Sequence, residues 1–111
     1  MKKQEILFEL ANALEQLNAM LSLDATSKWA GLFRHAAEVA KQMSDLPFDP
    51  SESARFSASI RHVFGGVGSF NDYEPMQFDP SSGRYITING TEGFDALRRK
   101  VYELATALIE Q

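Results

Sequence analysis

Three of the chain's seven glycines, Gly65, Gly66 and Gly68, fall within four positions. Backbone N–H groups of glycine-rich turns can surround a phosphate, typically where a strand enters the turn and a helix leaves it. Here the order is reversed, because a helical pattern precedes the glycines and a strand-like pattern follows them. No lysine lies between Lys41 and Lys100 to bind a phosphate. The spacing therefore favours a shaped connector over a nucleotide site.

As a connector, the segment predicts a helix that ends at Phe64 and a left-handed residue at Gly65 or Gly66. Gly68 then allows a second reversal or a close backbone approach. Rigid loops of this kind are frequent binding surfaces. A small-ligand or nucleotide site at the glycines stays open as the least favoured alternative.

Other residue types that could carry chemistry are few. The chain has no cysteine, and its two histidines, His35 and His62, belong to no metal-binding motif. His62 is expected in the last turn of a helix, where a partial positive charge favours the helix dipole. Ser69 lacks the preceding strand and the second glycine of a nucleophile elbow. We expect no catalytic residue, no metal and no cofactor, and predict that the protein is not an enzyme.

Acidic and aromatic residues alternate after the glycines. Aromatic side chains are enriched at binding hot spots, and carboxylates beside them attract a basic partner. The alternative uses are a solvated acidic turn, or a general acid and base pair if a pocket raises one pKa. The sequence predicts a partner-binding surface composed of Phe70, Asn71, Asp72, Tyr73, Glu74, Phe78, Asp79 and Tyr85.

Two long helices precede this region. Apolar residues recur at steps of three and four over residues 3–22, with five leucines on the inward face. A second helix is predicted over about residues 26–45, with Asp24, Thr26 and Ser27 as candidate N-caps. The short link favours an antiparallel pair. The inward face of the second helix is expected to contain Trp29, Leu32, Phe33, Ala36, Ala40 and Met43.

The rest of the chain predicts a third helix, a hairpin and a fourth helix. Asp49 followed by proline is a helix-start signal, so the third helix should run from Pro50 to Phe64. Strands near 73–78 and 84–88 flank a Pro-Ser-Ser-Gly turn. Thr91 should cap the fourth helix, with the basic run at 97–100 on its solvent face. The fold class is mainly α, with four helices and a two-stranded hairpin between helices 3 and 4, in one domain over residues 1–111.

Composition limits the class of partner. The 111 residues suit one domain, and 44% hydrophobic residues argue against disorder. A net charge of -4 repels nucleic acid and anionic membranes. No apolar run resembles a signal peptide or a membrane span. We expect a cytoplasmic protein that binds neither nucleic acid nor membrane.

The stretch FGGVGSFND, Phe64 to Asp72, resembles the signature of a family of small bacterial proteins with a Gly-Gly-Met-Gly-Ser-Phe-Asn-Asp core. The likeness covers about residues 60–72. Val67 stands where the family has methionine, and YEPMQF replaces an apolar strand. The resemblance implies a helical N-terminal part, the motif and a final helix, without catalytic residues. It also associates the chain with toxin and immunity genes.

Taken together, these features favour a non-catalytic cytosolic protein that binds another protein. The most specific hypothesis is an immunity-type inhibitor whose acidic aromatic surface blocks the basic active-site cleft of a bacterial toxin. The alternative is a housekeeping or regulatory interaction module, including a homodimer formed through helix 1 or helix 4.

Overall fold

Four helices and one antiparallel hairpin make up the fold of the described residues. The computed structural model describes residues 2–45, 47–65 and 69–110. In chain order the elements are α1 (Lys3–Leu21), α2 (Ala30–Asp45), α3 (Pro50–Arg61), β1 (Met76–Asp79), β2 (Arg84–Thr87) and α4 (Phe94–Glu110). The predicted fold class is confirmed.

The helices alternate in direction. Gln4 Nε2 at the start of α1 donates to the carbonyl of Ser44 at the end of α2, at 3.1 Å. Ser57 Oγ in α3 donates to the Ala105 carbonyl in α4, at 2.5 Å. Helix α1 packs against α2 and α4, and α4 also packs against α3. The end of α1, the start of α2, the end of α3 and the start of α4 therefore meet at one end of the bundle, which we name the loop end.

Helix α1 supplies the centre of the core. Its five predicted inward leucines and Ile6 are completely buried, and the core residues that α4 and α2 contribute are at most 9% exposed. The periodicity reading of this helix is confirmed. On α2 one assignment is wrong: Leu32 is exposed, and Ala37 is buried on the inward face instead.

Helix α2 begins at Ala30, later than the predicted start near residue 26. The preceding residues form turns closed by side chains. The Asp24 carboxylate accepts from the amide and hydroxyl of Thr26, and Ser27 Oγ accepts from the Trp29 amide at 3.2 Å. The candidate N-cap oxygens are thus used inside the turn, a common competitor to helix initiation.

The start of α3 is as predicted, but its end is different. Asp49 caps the helix by accepting from the Ser51 amide at 3.0 Å. The α-helix stops at Arg61 and a 3-10 turn, His62–Phe64, completes it. Gly65 has φ −110° and ψ 150°, an extended conformation, so the expected left-handed conformation at Gly65 is wrong. Gly66 and Gly68 lie outside the described residues.

The hairpin is shorter than predicted and projects from the helices. Its register pairs Met76 with Thr87 and Phe78 with Tyr85. The strands contact mainly each other, and all four residues of β2 are exposed. The molecule measures 52 × 26 × 21 Å, whereas its longest helix spans only about 28 Å. The hairpin therefore extends the molecule beyond the loop end.

The entry into α4 also differs from the prediction. The Thr91 hydroxyl donates to the Ile88 carbonyl at 2.7 Å and does not cap the helix, which begins at Phe94. Thr91 and Ile88 are both buried. The Ile88 amide also donates to the Pro75 carbonyl at 3.3 Å, so the end of the return strand is tied to the residue before β1.

Candidate functional site

Phe70 is the centre of a buried aromatic cluster at the loop end. Its side chain is fully buried, and five other rings have centroids between 4.5 and 6.0 Å from its own. These rings belong to Trp29, Phe33, Phe64, Tyr73 and Phe94. We name the six residues the aromatic joint. The Phe70 side chain offers no surface to a partner, so its expected place in the partner-binding surface does not match its position in the fold.

Arg98, on α4, contacts the aromatic joint through hydrogen bonds and cation–π contacts. Its guanidinium donates to the carbonyls of Phe70 and Tyr73, and to the Asp95 carboxylate at 2.6 Å. It also lies over the rings of Phe70 and Phe94, with 5.7 and 5.1 Å to the centroids. The side chain is only 13% exposed, so most of this cation is shielded from water. Such charge-assisted bonds and cation–π contacts are stronger when shielded.

Asn71 closes the glycine loop. Its side-chain amide donates to the carbonyl of Phe64, so the two ends of the segment between them are tied together. The backbone of residues 70–72 forms a 3-10 turn in which the Tyr73 amide donates to the Phe70 carbonyl at 3.1 Å. Asn71 and Asp72 are both exposed to solvent. The stretch after the glycines is therefore held by defined contacts at each step.

Tyr73 connects the joint to the end of α1. Its hydroxyl donates to the Asp24 carboxylate at 2.6 Å. Burial and this bond raise the pKa of Tyr73 to about 12. Burial would raise the pKa of Asp24, but the hydrogen bonds from Tyr73 and Thr26 outweigh it and leave that pKa below its ordinary value. At neutral pH the pair is a neutral phenol bonded to a carboxylate, which is a structural link rather than an acid and base pair.

Two exposed aromatic residues lie together on the hairpin. Phe78 is 54% and Tyr85 68% exposed, and their rings meet edge to face with 5.5 Å between centroids. Because they are directly paired across the strands, they share one face of the hairpin. Ile86 is exposed on the other face. We name Phe78, Tyr85 and Ile86 the hairpin surface.

Carboxylates lie close to the hairpin surface in the chain. Asp72 and Glu74 are exposed just before β1, and Glu92 is exposed just after β2. Asp79 ends β1, where hydrogen bonds from Ser81 and Ser82 lower the pKa of its carboxyl group. Arg84 is the one cation on the strands themselves. The region is therefore mainly acidic at neutral pH.

A separate concave surface lies between the end of α3 and the first half of α4, with a volume of about 660 Å³. Three residues of the motif region, Phe64, Gly65 and Asn71, line it, as does Glu74 just after the motif. Opposite them it is lined by Arg61, Arg99 and Tyr102. None of these last three was among the predicted site residues.

Arg98 could have been found from its spacing. It follows Phe94 by four positions and precedes Val101 by three, which places it within the apolar stripe of α4. The expectation that the whole basic run faces solvent is wrong at Arg98 and right at Arg99 and Lys100, which are exposed. A charged residue at a core position of a helix indicates a buried ionic contact.

The residues considered for catalysis are isolated. His35 and His62 are both exposed, and no group of three or more acidic or histidine side chains could hold a metal ion within residues 2–45, 47–65 and 69–110. Ser69 Oγ is buried and has no hydrogen-bond partner in the described part of the chain.

Among the helices described, none is both long enough and apolar enough to cross a bilayer.

The joint, the hairpin surface and the arginine-lined cavity are thus the three distinctive features of the molecule. Comparison with protein-family models, with curated proteins and with solved structures gave no match for this chain.

Proposed function

We propose that this protein is a non-catalytic cytoplasmic protein that binds a basic protein partner through the hairpin surface. The observation that carries the proposal is the exposed Phe78–Tyr85 pair on a hairpin that projects from a helical body. Two large aromatic rings held edge to face in water gain little for the fold. Aromatic side chains in such positions are the usual anchors of protein interfaces.

The surrounding charge favours a basic partner. Asp72, Glu74 and Glu92 are exposed beside the hairpin and outnumber the single cation on its strands. Complementary charge increases the rate of encounter and orients the partner. A stable interface buries about 800 Å² on each protein, more than two aromatic rings provide. The acidic residues that flank the strands therefore belong to the proposed contact area.

The most specific form of the proposal is an immunity-type inhibitor. In that role the hairpin enters the active-site cleft of a basic toxin and blocks its substrate. A projecting element with an aromatic pair near its turn and carboxylates at its base suits a concave basic cleft better than a flat surface. The resemblance of FGGVGSFND to proteins associated with toxin and immunity genes supports the same role.

The homodimer alternative has less support. The apolar stripes of α1 and α4 that would form a helical dimer are buried inside this chain. A dimer through those buried stripes would require the core to open. A regulatory interaction module that uses the hairpin surface remains the alternative, and the nature of the partner distinguishes it from an inhibitor.

Affinity capture with matched variants tests the proposal. The baits are the natural protein, Phe78→Ser with Tyr85→Ser, Glu74→Lys, and Phe8→Ser as control. Phe8 is 60% exposed near the start of α1, at the opposite end from the hairpin. We expect a basic protein to be captured by the natural chain and by Phe8→Ser, and lost with the double hairpin variant. Its association should slow with added salt and with Glu74→Lys.

A growth assay then separates the two roles. If the captured protein arrests growth when expressed alone, and the natural chain but not the double hairpin variant restores growth, the partner is a toxin. A captured protein without toxicity indicates a regulatory module. Capture that is equal with the natural chain and the double hairpin variant contradicts the proposal in both forms.

A further inference from the structure

The cavity between α3 and α4 differs from the hairpin in charge. It is lined by three arginines, Arg61, Arg98 and Arg99, and by two carboxylates, Glu74 and Asp95. The chain as a whole has a net charge of -4. The lining of this one concave surface therefore has an excess of positive charge, although the protein as a whole is acidic. Its volume of about 660 Å³ lies within the range of small-molecule sites.

Two of the arginines keep unused hydrogen-bond donors. Arg61 donates through Nε to Ser57 Oγ at 3.1 Å, and its two terminal nitrogens have no partner among the described residues. Arg99 forms no hydrogen bond or ion pair with any described residue, in contrast to Arg98, whose donors are taken by the joint. Asp95 already pairs with Arg98. Glu74 is therefore the one carboxylate of the cavity lining that has no ion pair with a described residue.

The cavity also has a flat apolar wall. Tyr102 lies one turn after Arg99 on α4, and its ring packs against that of buried Phe64 with 5.2 Å between centroids. The Tyr102 side chain is 41% exposed, and its hydroxyl has no partner in the described part of the chain. The two rings meet at an angle of 53°, and part of the Tyr102 side chain stays accessible from the cavity. A planar group can stack there, with an anion directed toward the two guanidinium groups.

We infer that this cavity binds a small molecule that carries an oxyanion beside a flat apolar group, with Arg61 and Arg99 on the oxyanion and Tyr102 against the flat group. Guanidinium forks match both phosphate and carboxylate oxygens. The site is separate from the hairpin surface, and its three binding residues, Arg61, Arg99 and Tyr102, take no part in the protein-binding proposal, although Glu74 lines the cavity and also lies beside the hairpin. It would make the protein a receptor for a small anion as well as a partner of a protein.

Titration followed by amide NMR signals tests this inference. The probes are phenyl phosphate and benzoate, which differ in the oxyanion, with phenol as the neutral control. We expect saturable shifts of the amides of Gly65, Asn71 and Arg99 with at least one anionic probe in the millimolar range. The anion that binds more tightly identifies the source as phosphate or carboxylate. Phenol should bind more weakly than either.

Matched variants give the decisive comparison. Arg99→Met should weaken binding of the anionic probe about tenfold, because a charge-assisted bond is lost. Arg34→Met removes an exposed arginine on α2, away from the cavity, and should leave binding unchanged. Arg99 has no described contact to lose, so its variant should fold normally. Equal affinity of the two variants, or no saturable shift with either anion, overturns the inference.

The double variant Phe78→Ser with Tyr85→Ser should bind the anionic probe as the natural chain does. Loss of protein capture without loss of anion binding would therefore separate the two sites. The failure of one proposal leaves the other standing.

Discussion

Phe70 and Phe78 are eight residues apart in the chain, and their environments are opposite. Phe70 is fully buried among five rings and beneath a guanidinium, whereas Phe78 is 54% exposed and contacts one ring. The same residue type thus builds the aromatic joint on one side of Pro75 and the hairpin surface on the other. The difference lies in the supporting contacts: rings from the start of α2, the end of the α3 region and the start of α4 meet in the joint, while the hairpin strands contact mainly each other. Aromatic residues in the joint should therefore determine stability, and those on the hairpin should not.

The strongest test of this contrast is Phe70→Ala. Removal of a buried phenylalanine from a packed cluster should lower the free energy of unfolding by about 3–5 kcal/mol. Phe78→Ala should change it by less than about 1 kcal/mol, because the side chain is half exposed. Denaturant unfolding followed by far-UV circular dichroism measures both. Similar losses for the two variants would abolish the distinction between joint and hairpin.

Arg98→Met should have the next largest effect. It removes the charge-assisted bonds to the Phe70 and Tyr73 carbonyls and keeps a similar apolar stem. We expect a loss of about 2–3 kcal/mol, since the carbonyls lose a shielded cationic donor. The control is Arg99→Met, whose side chain is exposed and without described contacts, and which should change stability by less than about 0.5 kcal/mol. If both variants unfold alike, Arg98 does not secure the joint.

Tyr73→Phe removes the hydroxyl that bonds to Asp24 and should cost about 1–2 kcal/mol at neutral pH. The pH dependence gives a sharper result. The pKa of Tyr73 is raised from its ordinary 10.0 to about 12, so the folded state keeps this proton where the unfolded chain loses it. The stabilisation is complete below pH 10 and is lost as pH rises toward 12.

At acid pH the dependence of stability on pH has the opposite sign, because it arises from the carboxylate of Asp24. The Asp24 pKa is lowered below 3.8, so its contribution is present above that value and is lost as pH falls through the folded-state pKa. The difference in unfolding free energy between the natural chain and Tyr73→Phe should therefore be greatest between these limits. A difference that does not vary from pH 3 to pH 12 would argue against the Tyr73–Asp24 bond in solution.

The smallest expected effects concern two glycines. Gly83, in the hairpin turn, has φ +71°, and Gly83→Ala should cost about 1 kcal/mol because a Cβ is strained there. Gly65 is extended and has open space around it, so Gly65→Ala should cause no loss. Thermal unfolding of both variants checks this order. A large loss with Gly65→Ala would mean that the glycine itself, rather than its neighbours, shapes the joint.

The presence of the helices could be predicted from the sequence, because apolar residues spaced at the helical period are the ones that become buried. The leucine stripe of α1 and the Asp49-Pro50 start of α3 required no tertiary knowledge. The predicted helix boundaries were less accurate where a candidate capping side chain forms hydrogen bonds within a turn instead of capping the helix. Asp24 was expected to offer its oxygens to a helix, but instead it accepts from Thr26 and Tyr73, and the latter bond spans 49 positions. Local patterns cannot reveal a partner that distant.

The candidate site was only partly foreseeable for the same reason. The aromatic and acidic composition marked residues 70–85 as a candidate surface, yet it could not separate buried Phe70 from exposed Phe78. That separation depends on which rings face which helix after folding. Arg61, Arg99 and Tyr102 come together through the packing of α3 against α4, and no short motif contains them. Arg98 is the exception, because its position in the α4 stripe is visible in the sequence.

The chain contains a single tryptophan, and it lies in the joint with its ring centroid 5.4 Å from that of Phe70. Its intrinsic fluorescence therefore reports on the loop end of the bundle alone. Tyr73, which precedes β1, and Phe94, which follows β2, both belong to the joint, so we expect binding of the proposed partner at the hairpin to change the surroundings of the indole. Tryptophan emission can therefore be measured to test the proposed partner binding, and no dye needs to be attached.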